Sequence, residues 1–175
     1  MPSEVSAFQI LHGLAGQSKS LDWLIIFLGN YSAYVFGLLA LYWLWTEKNW
    51  RQRLYKFAFV LLTLILSRGI LTPIIRAFHP RPRPFEVLNF LPLINHESGN
   101  SIPSGHAVFF FAIAFAFYFV GQRRRGAFLF AAALVMGAAR VIAGAHWPLD
   151  IVAGLLVGLV SAFVVKFLLP RTLIS

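Results

Sequence analysis

Arg140, His146 and Asp150 are spaced so that one turn of chain brings a guanidinium, an imidazole and a carboxylate within reach of each other. Pro148 suits the first turn of a helix, which puts Asp150 inside that turn and His146 just ahead of it. A carboxylate beside an imidazole fixes its tautomer and orientation and stabilises the imidazolium. The other ring nitrogen is then left to act as base or nucleophile. Arg140 stands near the end of the preceding apolar run. A charge at that depth needs a partner or a wet cavity: it serves an anion, or it closes the turn as an ion pair with Asp150.

Two further segments offer matching chemistry. In Pro103-Ser104-Gly105-His106 the serine reads as a helix N-cap, because an apolar run begins at once after it. A helix N-terminus presents free N–H groups and a partial positive charge, which favours an anion. Gly105 lets the backbone approach such a ligand, and His106, just inside, would point toward it. The plainer reading is a capped helix with an interfacial histidine. In the stretch from Arg76 through His79, Pro80, Arg81 and Pro82 to Arg83 and Pro84, the planar forks of Arg76 and Arg83 suit bidentate recognition of phosphate. The prolines stiffen that loop. Several arginines near one helix N-terminus imply a ligand with two or more negative charges. The bland alternative is a loop that greets lipid headgroups, a role that His79 and Arg81 suit better than Arg76 and Arg83.

Composition says what positions these segments. Of 175 residues, 59% are hydrophobic and 12% charged, with a mean hydropathy of +0.74. Soluble domains carry about a quarter charged residues, so a bilayer is the solvent for most of this chain. Its length allows one domain, residues 1–175. Spanning helices need roughly 20 apolar residues, and five stretches approach that: about Leu21 to Trp45, Leu54 to Ile75, Ala107 to Val120, Ala127 to Ala145 and Pro148 to Leu168. Residues 3–14 carry Val5, Phe8, Ile10, Leu11 and Leu14 at helical spacing, as in a short amphipathic helix lying in the interface or a frayed terminus. The expected fold class is all-α, a polytopic transmembrane helix bundle of about five spanning helices with that N-terminal interfacial helix added. The N-terminus does not read as a cleaved signal peptide, and the absence of cysteine excludes disulfides and thiolate metal sites.

Loop charge sets the expected orientation. Lys48, Arg51, Arg53 and Lys56 lie between the first two stretches, Arg123, Arg124 and Arg125 between the third and fourth, and Lys166 and Arg171 near the C-terminal end. Five spans put all of these on one side, and positive loops stay cytoplasmic. The N-terminus and the three polar segments are then extracytoplasmic, the C-terminus cytoplasmic. Net charge is +9, but it comes in short clusters without a basic stripe beside stacking aromatics, so nucleic acid is not an expected partner.

The three polar segments resemble, in order, the signature motifs of the type-2 phosphatidic acid phosphatase superfamily, which also holds vanadium haloperoxidases. Its pattern is Lys-x6-Arg-Pro, then Pro-Ser-Gly-His, then Ser-Arg-x5-His-x3-Asp. Here Arg76 stands for the lysine before Arg83-Pro84, residues 103–106 are intact, and Ala139 stands for the serine before Arg140, His146 and Asp150. The resemblance implies that His146 attacks phosphorus to form a phosphohistidine, that Asp150 orients it, and that His106 is the general acid for the leaving oxygen. It further implies that Arg76, Arg83, Arg140, Ser104 and the Gly105 N–H hold the phosphoryl oxygens, with no metal or other cofactor. Length and layout are similar to small bacterial undecaprenyl-diphosphate phosphatases, which act on the outer face of the cytoplasmic membrane. Lipid A 1-phosphatases and phosphatidylglycerophosphate or phosphatidic acid phosphatases share the motifs. The expected partners are therefore a lipid phosphate substrate and membrane lipids.

Other polar positions carry less. Arg68, inside the second stretch, either extends the phosphate cluster or pairs with a carbonyl, Asp22 or Glu47, the pairing being preferred. Trp43, Trp45, Trp50 and Tyr55 read as interface anchors, and Glu86, His96 and Glu97 as loop surface within reach of a headgroup. Rival readings are a vanadate-dependent oxidant, a zinc enzyme using the two histidines and the aspartate, and a lipid-phosphate carrier without turnover.

Overall fold

The computed structural model describes residues 2–94 and 99–169. Its helices are α1 (Pro2–His12), α2 (Lys19–Trp45), α3 (Trp50–Phe78), α4 (Pro84–Leu88), α5 (Gly105–Phe119), α6 (Arg123–Ile142) and α7 (Pro148–Leu168). Among the described residues there is no strand. The helices α2, α3, α6 and α7 are long and apolar enough to cross a membrane, whereas α5 has 15 residues. At 1.5 Å per residue α5 measures about 22 Å, short of a hydrocarbon core of about 30 Å. The five expected spans thus become four and a shorter fifth helix. That helix is apolar on every side, with Phe110, Phe111, Ala112, Ala116 and Phe117 all buried, and such a helix belongs inside a bundle. It is enclosed by α3, α6 and α7, so protein rather than lipid is its surroundings.

Two glycines let α7 run close and parallel to α5. A Cβ at Gly154 would lie 2.6 Å from the Ala107 Cβ, and one at Gly158 would lie 2.7 Å from the Ala112 backbone nitrogen. Small residues four apart serve this kind of approach in membranes. Backbone cannot yield as a side-chain tip can, so Gly158→Leu is expected to destabilise the protein by about 3 kcal/mol. Thermal melts in detergent check this, with Leu156→Ala as the control, since Leu156 is 53% exposed and its truncation should cost about 0.5 kcal/mol or less.

One end of the bundle gathers the basic clusters. Arg125 Nη1 donates to the Trp43 carbonyl (3.4 Å) and to Gln122 Oε1 (3.0 Å), and Lys56 pairs with Glu47. The guanidinium of Arg53 lies 5.1 Å from the Trp45 ring centre, and that of Arg51 lies 5.8 Å from Trp50, fitting the expected anchors. Tyr55 departs from that expectation: it is buried, and its hydroxyl donates to the Leu169 carbonyl at 3.0 Å. Arg171, His96 and Glu97 lie outside the described residues.

At the opposite end, α1 is a docked helix and not a frayed terminus. Phe8 is buried against Val141 and Trp147, and His12 Nδ1 lies 2.8 Å from the Ile142 carbonyl oxygen. Glu86, expected on the loop surface, instead caps α4 by accepting from the Arg83 backbone N–H at 2.6 Å.

Candidate active site

The C-terminal ends of α3 and α6 meet the N-terminal ends of α5 and α7 at this end, where the Ser104 N–H donates to the Asp150 carbonyl at 3.1 Å. Local sequence sets the pose of the acid. Pro148 opens α7, and Asp150 Oδ2 accepts from the Trp147 N–H at 2.8 Å. That cap holds the carboxylate beside the imidazole four residues back, with His146 Nδ1 3.4 Å from Oδ2. The Ser101 hydroxyl donates to the same carboxylate oxygen and lies 3.5 Å from Nδ1. Nε2 of His146 faces outward from this support, 3.3 Å from Arg83 Nη1. Both His146 and Asp150 are buried.

Arg140 is fully buried and does not pair with Asp150. Its Nη1 donates to the Gly29 carbonyl at 2.7 Å. Gly29 lies in a widened turn of α2, Phe27–Tyr31, where the Ser32 N–H reaches back five residues to the Phe27 carbonyl. Such π-type turns disturb the regular pairing of carbonyls and recur at functional sites. The partner of Asp150 is Arg81, whose Nη1 donates to Oδ1 at 2.8 Å while its Nη2 holds Glu4 of α1 at 2.5 Å.

Arg83 donates through Nη1 to the Ala145 carbonyl at 3.0 Å. Burial pushes its guanidinium below the usual value, with Asp150 and Glu86 opposing the shift. Arg76 donates through Nη2 to the Pro103 carbonyl at 3.0 Å, and its own carbonyl accepts from Asn100. Three buried polar atoms of this cluster, Nε of Arg76, Nε of Arg83 and Oγ of Ser104, have no hydrogen-bond partner among the described residues. Ser104 holds the N-cap position of α5 but does not cap with its hydroxyl. Each unsatisfied buried group costs about 1–3 kcal/mol, and three beside one helix N-terminus are what an anion relieves.

His106 sits half-buried in the first turn of α5. Next to it, Gly105 leaves room for a neighbour: a Cβ there would lie 2.0 Å from Nη1 of Arg68. The carboxylates considered for Arg68 are engaged elsewhere, Glu47 with Lys56 and Asp22 with the Gly16 N–H at 2.8 Å. All eight expected residues, Arg76, Arg83, Ser104, Gly105, His106, Arg140, His146 and Asp150, therefore lie at one end of the bundle. Among the described residues, no three His, Cys, Asp or Glu side chains converge as a metal site requires.

Ser101 and Glu4 escaped the sequence reading, and Arg81, read there as a contact for lipid headgroups, instead holds Asp150 and Glu4. For Arg81 a signal existed: in an extended Arg-Pro-Arg, residues two apart face the same way, so Arg81 should accompany Arg83. Ser101 and Glu4 reach the site only through tertiary folding, and nothing local announces them.

The PAP2 superfamily pattern matches residues 56–172. The "bacitracin transport permease protein BcrC" of Bacillus licheniformis is 34% identical over 170 residues, spanning 95% of this chain and 81% of that protein. The "undecaprenyl-diphosphatase BcrC" of Bacillus subtilis (strain 168) is 28% identical over 158 residues, 89% of this chain and 79% of that one. Among solved structures, LpxE of Aquifex aeolicus superposes with a TM-score of 0.76 at 24% identity, covering 93% of this chain and 94% of that one, a likeness of fold.

Proposed function

This chain belongs to the PAP2 superfamily and is a hydrolase of lipid phosphates, and from that premise we propose that it removes the terminal phosphate of a polyprenyl diphosphate, undecaprenyl diphosphate foremost, through a phosphohistidine at His146. The observation that carries the reading is the pose of His146. Nδ1 rests 3.4 Å from Asp150, so it keeps the proton, and Nε2 lies 3.3 Å from Arg83, where a phosphoryl group would sit among the arginines. Nε2 attacks the terminal phosphorus, the bond to the bridging oxygen breaks, and His106 protonates that oxygen as the lipid monophosphate leaves. Water activated by the same histidine then cleaves the N–P bond and frees inorganic phosphate. Arg76, Arg83, Arg140, the Ser104 hydroxyl and the Gly105 N–H hold the equatorial oxygens. Phosphoryl transfer asks for this positioning and charge stabilisation, which guanidinium groups can provide in place of metal ions.

The membrane protein's site is proposed to face the extracytoplasmic side, with the C-terminus cytoplasmic. Support comes from the basic clusters, which gather at the end away from the site, as positive cytoplasmic loops would. The name of the Bacillus licheniformis relative, a transport permease protein, leaves a second reading, a carrier that binds a lipid phosphate without turnover.

Purified protein given undecaprenyl diphosphate, phosphatidylglycerophosphate, phosphatidic acid and lipid A in turn, with a strong chelator and no added metal, separates the readings. Phosphate release greatest from the diphosphate, insensitive to chelator and competitively inhibited by vanadate, is the expected result. Binding without release supports the carrier, and loss of activity in chelator points to a metal.

A further inference from the structure

We propose that Arg68 binds the lipid-linked phosphate of a diphosphate headgroup and so makes the site select diphosphates over monophosphates, an inference that rests on the phosphatase reading above. Arg68 lies in the second widened turn, Ile65–Leu71, on α3, eight residues before Arg76. At about 1.5 Å per residue this places its backbone about 12 Å further from the mouth of the site, toward the middle of the bilayer. From there its side chain reaches the start of α5: a Cβ on Gly105 would meet Arg68 Nη1 at 2.0 Å, Cζ at 2.6 Å and Nη2 at 3.0 Å. Arg76, on the same helix, donates to the Pro103 carbonyl just ahead of α5.

This is a poor place for a cation alone. Among the described residues Arg68 has no hydrogen bond and no ion pair. Beside it are the positive end of α5, Arg76 and Arg140, both of which its charge opposes. The nearby Ser104 hydroxyl is fully buried and has no hydrogen-bond partner among the described residues. A charge within a spanning helix is costly unless it serves a ligand path, and nothing described here compensates it. An anion adjoining the one held by Arg76, Arg83 and Arg140 would.

Direction then identifies that anion. The terminal phosphate must reach His146, and the lipid chain must run back into the bilayer, so the second phosphate lies on the membrane side of the first. The flank of α3 around Arg68 is open on that side. Ile65 and Ile70 are about half exposed, and a Cβ on Gly69 would meet nothing within 4 Å. As the bridging bond breaks, its electron pair adds charge to the lipid-linked phosphate, which a bidentate guanidinium stabilises. A monophosphate presents no group there.

The test compares farnesyl diphosphate with farnesyl monophosphate as substrates of the full chain in detergent. In Arg68→Gln the ratio of kcat/KM for diphosphate over monophosphate should fall about thirtyfold, the worth of a charge-assisted contact. An unchanged ratio, whether through equal losses or none, overturns the inference and leaves the phosphatase reading intact. Absence of phosphate release by the wild type from either substrate instead sinks the phosphatase reading and the inference with it. Should Arg68→Gln fail to fold, Arg68→Lys carries the same test. It keeps the charge without the planar fork, and the ratio should fall about fivefold.

Discussion

Replacing His146 with alanine should lower phosphate release from undecaprenyl diphosphate by about ten-thousandfold or more, the scale on which removing a covalent nucleophile acts. The size follows from the surroundings. Asp150 supports one ring nitrogen of His146 and the Arg83 guanidinium faces the other, so the ring is held ready to attack. The fold should survive, because Asp150 keeps three other partners: the Trp147 N–H, the Ser101 hydroxyl and Arg81. A His146→Ala protein that elutes and melts like the wild type but does not turn over is therefore the expected result. A second readout is chemical. Wild-type protein quenched during turnover should carry an acid-labile phosphate, as an N–P bond gives, and the variant should carry none. Wild-type turnover in the variant would place the nucleophile elsewhere.

Much of this site is legible in the sequence because its chemistry sits in three short segments with local rules. Pro148 followed by Asp150, and Pro84 followed by Glu86, are the same device: proline opens a helix and an acid two residues later accepts the N–H ahead of it. Reading the first correctly placed Asp150 beside His146, and reading Glu86 as surface missed the second. Helix existence followed from hydropathy, which works because a bilayer forces backbone pairing inside each segment. What hydropathy could not tell was that α5 is enclosed, since an apolar run looks the same whether lipid or protein surrounds it. The two widened turns were equally hidden. Nothing in Phe27–Tyr31 or Ile65–Leu71 marks an extra residue in the turn, yet one offers the Gly29 carbonyl to Arg140 and the other carries Arg68. Long-range partners such as Glu4 and Ser101 depend on loop closure and leave no local trace.

Arg140→Ala should reduce kcat/KM by about a hundredfold to a thousandfold, as loss of a preorganised donor to transferring oxygens does, and should change stability little. Two opposing effects set the second expectation. Truncation leaves the Gly29 carbonyl without the donor now at 2.7 Å, at a cost of about 1–3 kcal/mol. It also removes a buried cation that Arg83 and Arg68 both repel, which offsets part of that cost. An arginine placed to hold the fold would give the reverse pattern, with a large drop in melting temperature and kinetics normal in the folded fraction. Vanadate sharpens the distinction, because a ligand stabilises the folded state in proportion to how tightly that state binds it. At a hundred times its Kd it should raise wild-type stability by about 2.7 kcal/mol, and the same concentration should leave the melting curve of Arg140→Ala almost unmoved. If vanadate protects the variant as well as it protects the wild type, Arg140 does not face the phosphoryl group and the cradle must be redrawn around Arg76 and Arg83.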